Sequence, residues 1–330
     1  MIPICIWGDR GIGKTALIHE YCLKHKIGFR VFHPAHNTNG ADIVGLPYFD
    51  RRIERTVHAR PLWLPSSSDG INFSDQGLIF IDEINRAPSA VLQGLTEPLG
   101  EGTLEQAQWK LPPNWGFICA ADPPRPGYEV AELDEALMNR MLHIPLSFDV
   151  VSWVAWAETE EVPDDVRTFT AKFPEMMAKT MTALPKEIEI NATPRSMEYL
   201  ARLYEPGMNP TLLTIIAEGL IGDLAAKAFL EHVQPGEQSL VTALEILGGD
   251  FEEKLGAQIS ADNNDLIRAS QTMLVAKLAN TKYNSQEDDA VVQQIVRYMN
   301  LLGSERAQSF WAELSTKSRD WAVAVHAIQT

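Results

Sequence analysis

Basic residues are scarce in this chain: 28 lysines and arginines stand against 44 aspartates and glutamates in 330 residues, a formal net charge of −16. That deficit opposes the counterion release that supplies most sequence-independent affinity for DNA and RNA, so a nucleic-acid role is disfavoured, although a local basic channel stays open. Cysteine is scarcer still. Cys5, Cys22 and Cys119 are too few and too scattered for a zinc set or a disulfide framework, and Cys5 and Cys119 fall inside apolar runs, where they read as small buried hydrophobes. His33 and His36 have a metal-like spacing but no third ligand nearby. No apolar run approaches the roughly 20 residues that span a bilayer, and the N-terminus lacks the basic region, apolar stretch and cleavage site of a secretory leader. Fixed-period repeats and low-complexity tracts are also missing. A folded cytoplasmic protein without a membrane anchor is expected.

The composition, 45% hydrophobic and 22% charged, is that of globular proteins. The length allows two or three structural units. In the first part, short apolar runs at Ile4–Trp7, Phe29–Phe32, Leu78–Ile81, Phe117–Ala121 and Leu142–Leu146 alternate with helical patterns such as Thr15–His25, the signature of a parallel sheet with crossover helices. Two long connections, Asn37–Asp75 and Gly100–Asn114, are rich in turn formers and have the length of functional loops or small hairpins. After Ser147 the strand signal fades. Amphipathic helices are predicted over Val150–Glu158, Asp164–Met181, Pro194–Leu203, Pro210–Val233, Leu240–Leu247, Asp265–Ala279, Asp289–Leu302 and Ser304–Ala327. Pro235 and Gly236 suggest a break between two helical regions. Three domains are expected: an α/β domain over 1–149, a helical lid over 150–234 and a helical extension over 235–330, in which Trp311 and Trp321 read as core anchors more readily than as contacts.

The segment Gly8, Asp9, Arg10, Gly11, Ile12, Gly13, Lys14, Thr15 fits the pattern G-x-x-x-x-G-K-[ST], and Ala16 continues into the helix. It follows an apolar strand and opens a helix, the context a phosphate-binding loop requires. Glycines let the backbone wrap phosphates with its N–H groups pointing inward, at a helix end whose dipole favours anions. Lys14 would bridge the outer phosphates of ATP, and the Thr15 hydroxyl would ligate Mg²⁺. The strand LIFIDEIN, Leu78–Asn85, ends in two acids. A carboxylate at a strand's C-terminal end lies at the ligand edge of an open α/β sheet, so Asp82 would hold Mg²⁺ through water and Glu83 would act as general base.

GDRGIGKT, ADIVGLPYFD (Ala41–Asp50), DEINRAP (Asp82–Pro88), LDEALMNRM (Leu133–Met141) and the TPRS segment Thr193–Ser196 together resemble the AAA+ ATPases, in particular the MoxR and dynein-like branch, over about Ile2–Val233. The resemblance implies a P-loop αβα sandwich followed by a helical lid, and a homo-oligomeric, hexameric ring with ATP bound between subunits. It implies that Arg140 is an arginine finger reaching the γ-phosphate in the adjacent protomer, and that Arg195 is the lid arginine that couples lid angle to nucleotide. Arg86 is shared with MoxR-like sequences, without a role to assign. Asp122 stands in FICAADP where the family presents an asparagine. An ionised Asp only accepts hydrogen bonds and adds negative charge near the phosphates, so either Asp122 stays partly protonated or turnover is slow. The family also carries a segment before the first strand that helps hold adenine; here the strand starts at Ile2 or Pro3, so either lid and loop residues hold the base or the reading frame begins upstream.

By the same resemblance, Asn37–Trp63 and Thr103–Asn114 look like inserted hairpins projecting from one face of a ring. Leu46, Pro47, Tyr48 and Phe49 would grip a substrate, and Arg51, Arg52, Arg55 and Arg60 would meet an acidic partner; alternatively, the aromatics pack locally and the arginines pair with Asp50 and Glu54. The function implied is chaperone-like remodelling of a protein client, with a von Willebrand factor A domain partner. A nucleic-acid motor and a slowly hydrolysing structural ring subunit are the alternatives.

Overall fold

The computed structural model describes residues 2–37, 40–124, 133–177, 190–234 and 240–329. Among these, one compact unit ends at Ser147 and a second begins at Phe148. The described residues of the N-terminal unit form nine strands: β1 Ile4–Trp7, β2 Gly28–Phe32, β3 Pro47–Asp50, β4 Arg55–His58, β5 Gly77–Ile81, β6 Thr103–Leu104, β7 Trp109–Lys110, β8 Trp115–Ala121 and β9 Leu142–Pro145. Five form one sheet in the order β2-β5-β8-β1-β9, every pairing parallel. The five apolar runs of the sequence are these strands. Because side chains alternate across a strand, Cys5, Ile79, Ile81 and Cys119 enter one core with Val91, Leu95 and Leu99 of the helix Ser89–Glu101. Their neighbours Ile6, Phe80 and Ala120 enter another with Ile18 and Cys22 of the helix Lys14–His25. Covered on both faces, the sheet is the middle layer of the expected αβα sandwich. β3 pairs with β4 and β6 with β7 as antiparallel hairpins, so both long connections carry the hairpins expected of them.

All three cysteines are buried, and burial pushes the Cys5 thiol up to about 12 against the opposing pull of Lys14, which leaves no reactive thiolate there.

The C-terminal unit is helical. Its helices are Val150–Thr159, Asp164–Lys172, Pro174–Met177, Pro194–Leu203, Pro210–His232, Ala243–Gly248, Glu252–Ser260, Asn264–Asn280, Asp289–Leu302, Ser304–Lys317 and Arg319–Gln329. Capping boxes start two of them, at Thr193 with Ser196 and at Thr242 with Glu245. Three departures from the sequence reading have local causes. The helix expected over Asp164–Met181 stops at Lys172, because Pro174 supplies no N–H and its ring opposes the preceding turn; residues 178–181 lie outside the described ones. The segment Ser304–Ala327 is two helices, broken at Ser318, whose φ of −147° is not helical. Glu252–Ser260 is a helix outside the predicted set, because only Leu255 and Ile259 mark its apolar face.

One contiguous core runs from Val151 through Phe169, Phe229 and Tyr298 to Trp321 and Val325. Trp321 is 2% exposed and donates its indole N–H to the Thr281 carbonyl at 2.7 Å, so it is a core anchor, and Trp311 packs partly buried against the same core. Pro235 and Gly236, the expected break, lie outside the described residues. No helix among the described residues is long and apolar enough to cross a membrane.

Phe169 is fully buried and meets Phe229 edge-on at 5.2 Å. Phe169→Ala is expected to destabilise the C-terminal unit by about 3–5 kcal/mol, and hydrogen exchange in the helix Asp289–Leu302 should rise with it. Unchanged protection in that helix would show that residues 235–330 fold independently.

Candidate active site

At the end of β1 the chain turns sharply: the Gly8 N–H donates to the Ala121 carbonyl at 3.2 Å, and Gly13 takes φ = 100° as the N-cap of the helix Lys14–His25. Side-chain-bearing residues rarely adopt that φ, which is why glycine stands there. The first N–H groups of that helix have no carbonyl a turn behind them and form an anion cradle. Lys14, only 7% exposed, folds back over the loop. Its ammonium donates to the Gly8 carbonyl at 2.6 Å, the Asp9 carbonyl at 3.2 Å and Asp122 Oδ1 at 2.7 Å.

The topology explains that last contact. β8 lies between β5 and β1, so Asp122, immediately after β8, falls between the acids after β5 and the loop after β1. Its other oxygen lies 3.5 Å from Arg10 Nε. The Thr15 hydroxyl donates to Asp82 Oδ2 at 2.7 Å, and Asp82 Oδ1 accepts the Glu83 N–H at 3.0 Å. Glu83 sits at φ = 50°, a left-handed conformation costly for a residue with a Cβ. It turns the chain out of β5 at this point, and its carboxylate meets Arg86 Nη1 at 3.5 Å. Arg86, which the motif left without a role, is therefore the partner of Glu83.

Asn85 was not singled out in the sequence. It is 1% exposed, donates its amide to the Asp122 carbonyl at 2.7 Å and accepts the Asp122 N–H at 3.1 Å, thus pinning the end of β8 to the turn after β5. Only a long-range backbone partner reveals it. A second unanticipated link is Trp7, whose indole N–H donates to His143 Nδ1 at 2.8 Å while His143 Nε2 lies 2.8 Å from the Met138 carbonyl. An indole only donates, so Nδ1 carries no proton and Nε2–H donates to Met138. The residue before the phosphate loop is thereby tied to the helix Glu135–Met138 that precedes Arg140.

Gly8–Ala16, Asp82, Glu83 and Asp122 are thus brought to one sheet edge. Arg140 stands apart, exposed, with its guanidinium on the Ala136 carbonyl at 2.8 Å. Arg195 belongs to the C-terminal unit, exposed in the first turn of the helix Pro194–Leu203. On the hairpin, Leu46, Tyr48 and Phe49 are 72%, 50% and 61% exposed, so they do not pack locally. Arg52 pairs with Asp50 at 3.2 Å, whereas Arg60 bonds the Leu64 carbonyl and Asp69 and so braces the fold.

Residues 3–141 match the AAA domain, dynein-related subfamily. The AAA match spans the loop, both acids, Asp122 and Arg140 and stops before β9. No curated protein matches the chain. Among solved structures, the Holliday junction branch migration motor RuvB of Thermotoga maritima is 16% identical, with 80% of this chain and 74% of that one covered and a TM-score of 0.36. A Cytophaga hutchinsonii protein provisionally described as an ATPase is 15% identical over 93% and 74%, with a TM-score of 0.34. Scores this low carry no assignment; the fold stands on its own sheet order and loop.

The residues fit Mg²⁺. Thr15 Oγ1 and Asp82 Oδ2 are hard oxygens 2.7 Å apart, the hydroxyl suited to ligate the ion and the carboxylate to hold one of its waters. The loop's glycines, helix end and lysine fit a polyphosphate.

Asn85→Ala strips both hydrogen bonds from the buried Asp122 backbone and is expected to destabilise the N-terminal unit by about 2–4 kcal/mol, read by urea unfolding against the parent. The Arg60 hydrogen bond holds the Asp69 carboxyl below the usual carboxylate range. A folded-state pKa lowered in this way stabilises at neutral pH, and the contribution disappears as pH falls through the lowered value. Asp69→Asn should therefore lower stability at neutral pH and converge with the parent in acid, in unfolding curves taken across pH.

Proposed function

We propose that this chain is a Mg²⁺-dependent ATPase of the MoxR type, working as a protomer of a homo-oligomeric ring, hexameric by family precedent, that remodels a protein client. The observation that carries the ATPase reading is the convergence of Lys14, Thr15, Asp82 and Glu83 on one edge of a parallel sheet, beside a helix N-terminus. Lys14 and the loop N–H groups bind the outer phosphates, and Thr15 with Asp82 holds the metal. The chemistry Mg²⁺ supplies when bound is neutralisation of charge on those phosphates. Glu83, released from Arg86, takes the proton of the attacking water.

Arg140 lies exposed outside the loop's own hydrogen-bonded set, which supports action on a neighbouring protomer's γ-phosphate. The exposed Leu46, Tyr48 and Phe49 support contact with a client or with a von Willebrand factor A domain partner. Arg195 is assigned to lid coupling on its motif. A second reading, a slowly hydrolysing structural subunit, is favoured by one observation: Lys14 is already bonded to a carboxylate.

Lys14→Ala is expected to abolish nucleotide binding. Glu83→Gln should retain binding and lose turnover on the order of 10²- to 10⁴-fold, and Arg140→Ala on the order of 10³-fold or more, recovered by mixing with Glu83→Gln protomers. Phosphate release is the assay. A parent no faster than Glu83→Gln would sink the active-ATPase reading in favour of the structural one. Stimulation by DNA with a steep salt dependence would point to a nucleic-acid motor.

A further inference from the structure

We propose that Asp122 is the resident anion of the phosphate loop and sets its nucleotide affinity: it occupies both loop cations, and an incoming phosphate must take them from it. This rests on the reading that the loop binds nucleotide, and adds a residue that determines how tightly.

An ammonium has three protons, and Lys14 spends its three on Gly8, Asp9 and Asp122. The Asp122 side chain is 3% exposed, and its two oxygens face two different cations, Lys14 at 2.7 Å and Arg10 at 3.5 Å. The Arg10 side chain is 51% exposed, whereas that of Lys14 is 7% exposed and has little access to solvent. The carboxylate cannot retreat with its backbone, because Asn85 holds both the N–H and the carbonyl of Asp122. Phosphate oxygens therefore enter beside a fixed negative charge that already shares the lysine. Lys14, Arg10 and Asp122 together carry one net positive charge; with a neutral isostere at position 122 they carry two. In a buried setting such a change of one charge a few ångströms from a polyphosphate alters affinity on the order of 10- to 100-fold. The expected consequence is weak product retention.

Titration of ADP with Mg²⁺ by calorimetry, at fixed ionic strength, tests this without hydrolysis. Asp122→Asn should bind ADP at least about tenfold more tightly than the parent. Asp122→Ser, which leaves the Asn85 clamp on the backbone intact, should shift affinity in the same direction and covers the case in which the Asn variant fails to fold. Equal or weaker ADP binding by folded variants overturns the proposal, since Asp122 would then orient Lys14 for phosphate and not compete with it. Should the parent and both variants all leave ADP unbound, the nucleotide reading itself falls, and this inference with it.

Discussion

A buried ammonium at the edge of a parallel sheet organises this protein's chemistry. Lys14 has three protons to place and almost no water to place them in, so each must find an oxygen. Two go to the turn that defines the phosphate loop, and the third reaches across 108 positions of sequence to Asp122. That one interaction fixes the loop on β1 against the end of β8. It also holds the site in a self-paired state, with the lysine on Asp122 and Glu83 on Arg86.

The sheet order is what permits this. Side by side, β5, β8 and β1 deliver two acids, one further carboxylate and a glycine loop to the same edge, each at a strand terminus where the backbone is free to turn. Rigidity comes from beneath, where alternating residues of these strands enter two separate cores. It also comes from sideways clamps, Asn85 on Asp122 and His143 between Trp7 and Met138. The supporting residues are amide and imidazole groups that bond backbone or a single indole, a task that leaves no spacing pattern in the sequence.

Legibility followed the range of the interaction. Gly8–Thr15 could be read because its chemistry is local: a glycine at φ = 100°, a helix N-terminus and a lysine lie within eight residues. The inner strands β5, β8 and β1 could be read because a strand covered on both faces must be apolar throughout, and the edge strands β2 and β9 because their short runs are apolar although much of each is exposed. The helix Glu252–Ser260 could not, since only Leu255 and Ile259 in its nine residues are large and apolar, too few to set a period. Arg60 could be read only as a partner-facing charge or as a mate of Asp50 or Glu54, because its actual partner, Asp69, lies nine residues further on in the following loop. The exposure of Leu46, Tyr48 and Phe49 was undecidable in the sequence, where a hairpin that packs its own aromatics and one that presents them look alike.

By itself the sequence determined the fold class, the phosphate loop, and which residue types stand at the ends of the strands, because each of these depends on neighbours within a few positions. Only the tertiary structure decided that Asp122 faces Lys14 and Arg10 and that Asn85 holds it there. Those pairings depend on which strands lie side by side, and strand order is set by packing across the whole sheet, a property that no short stretch of chain encodes.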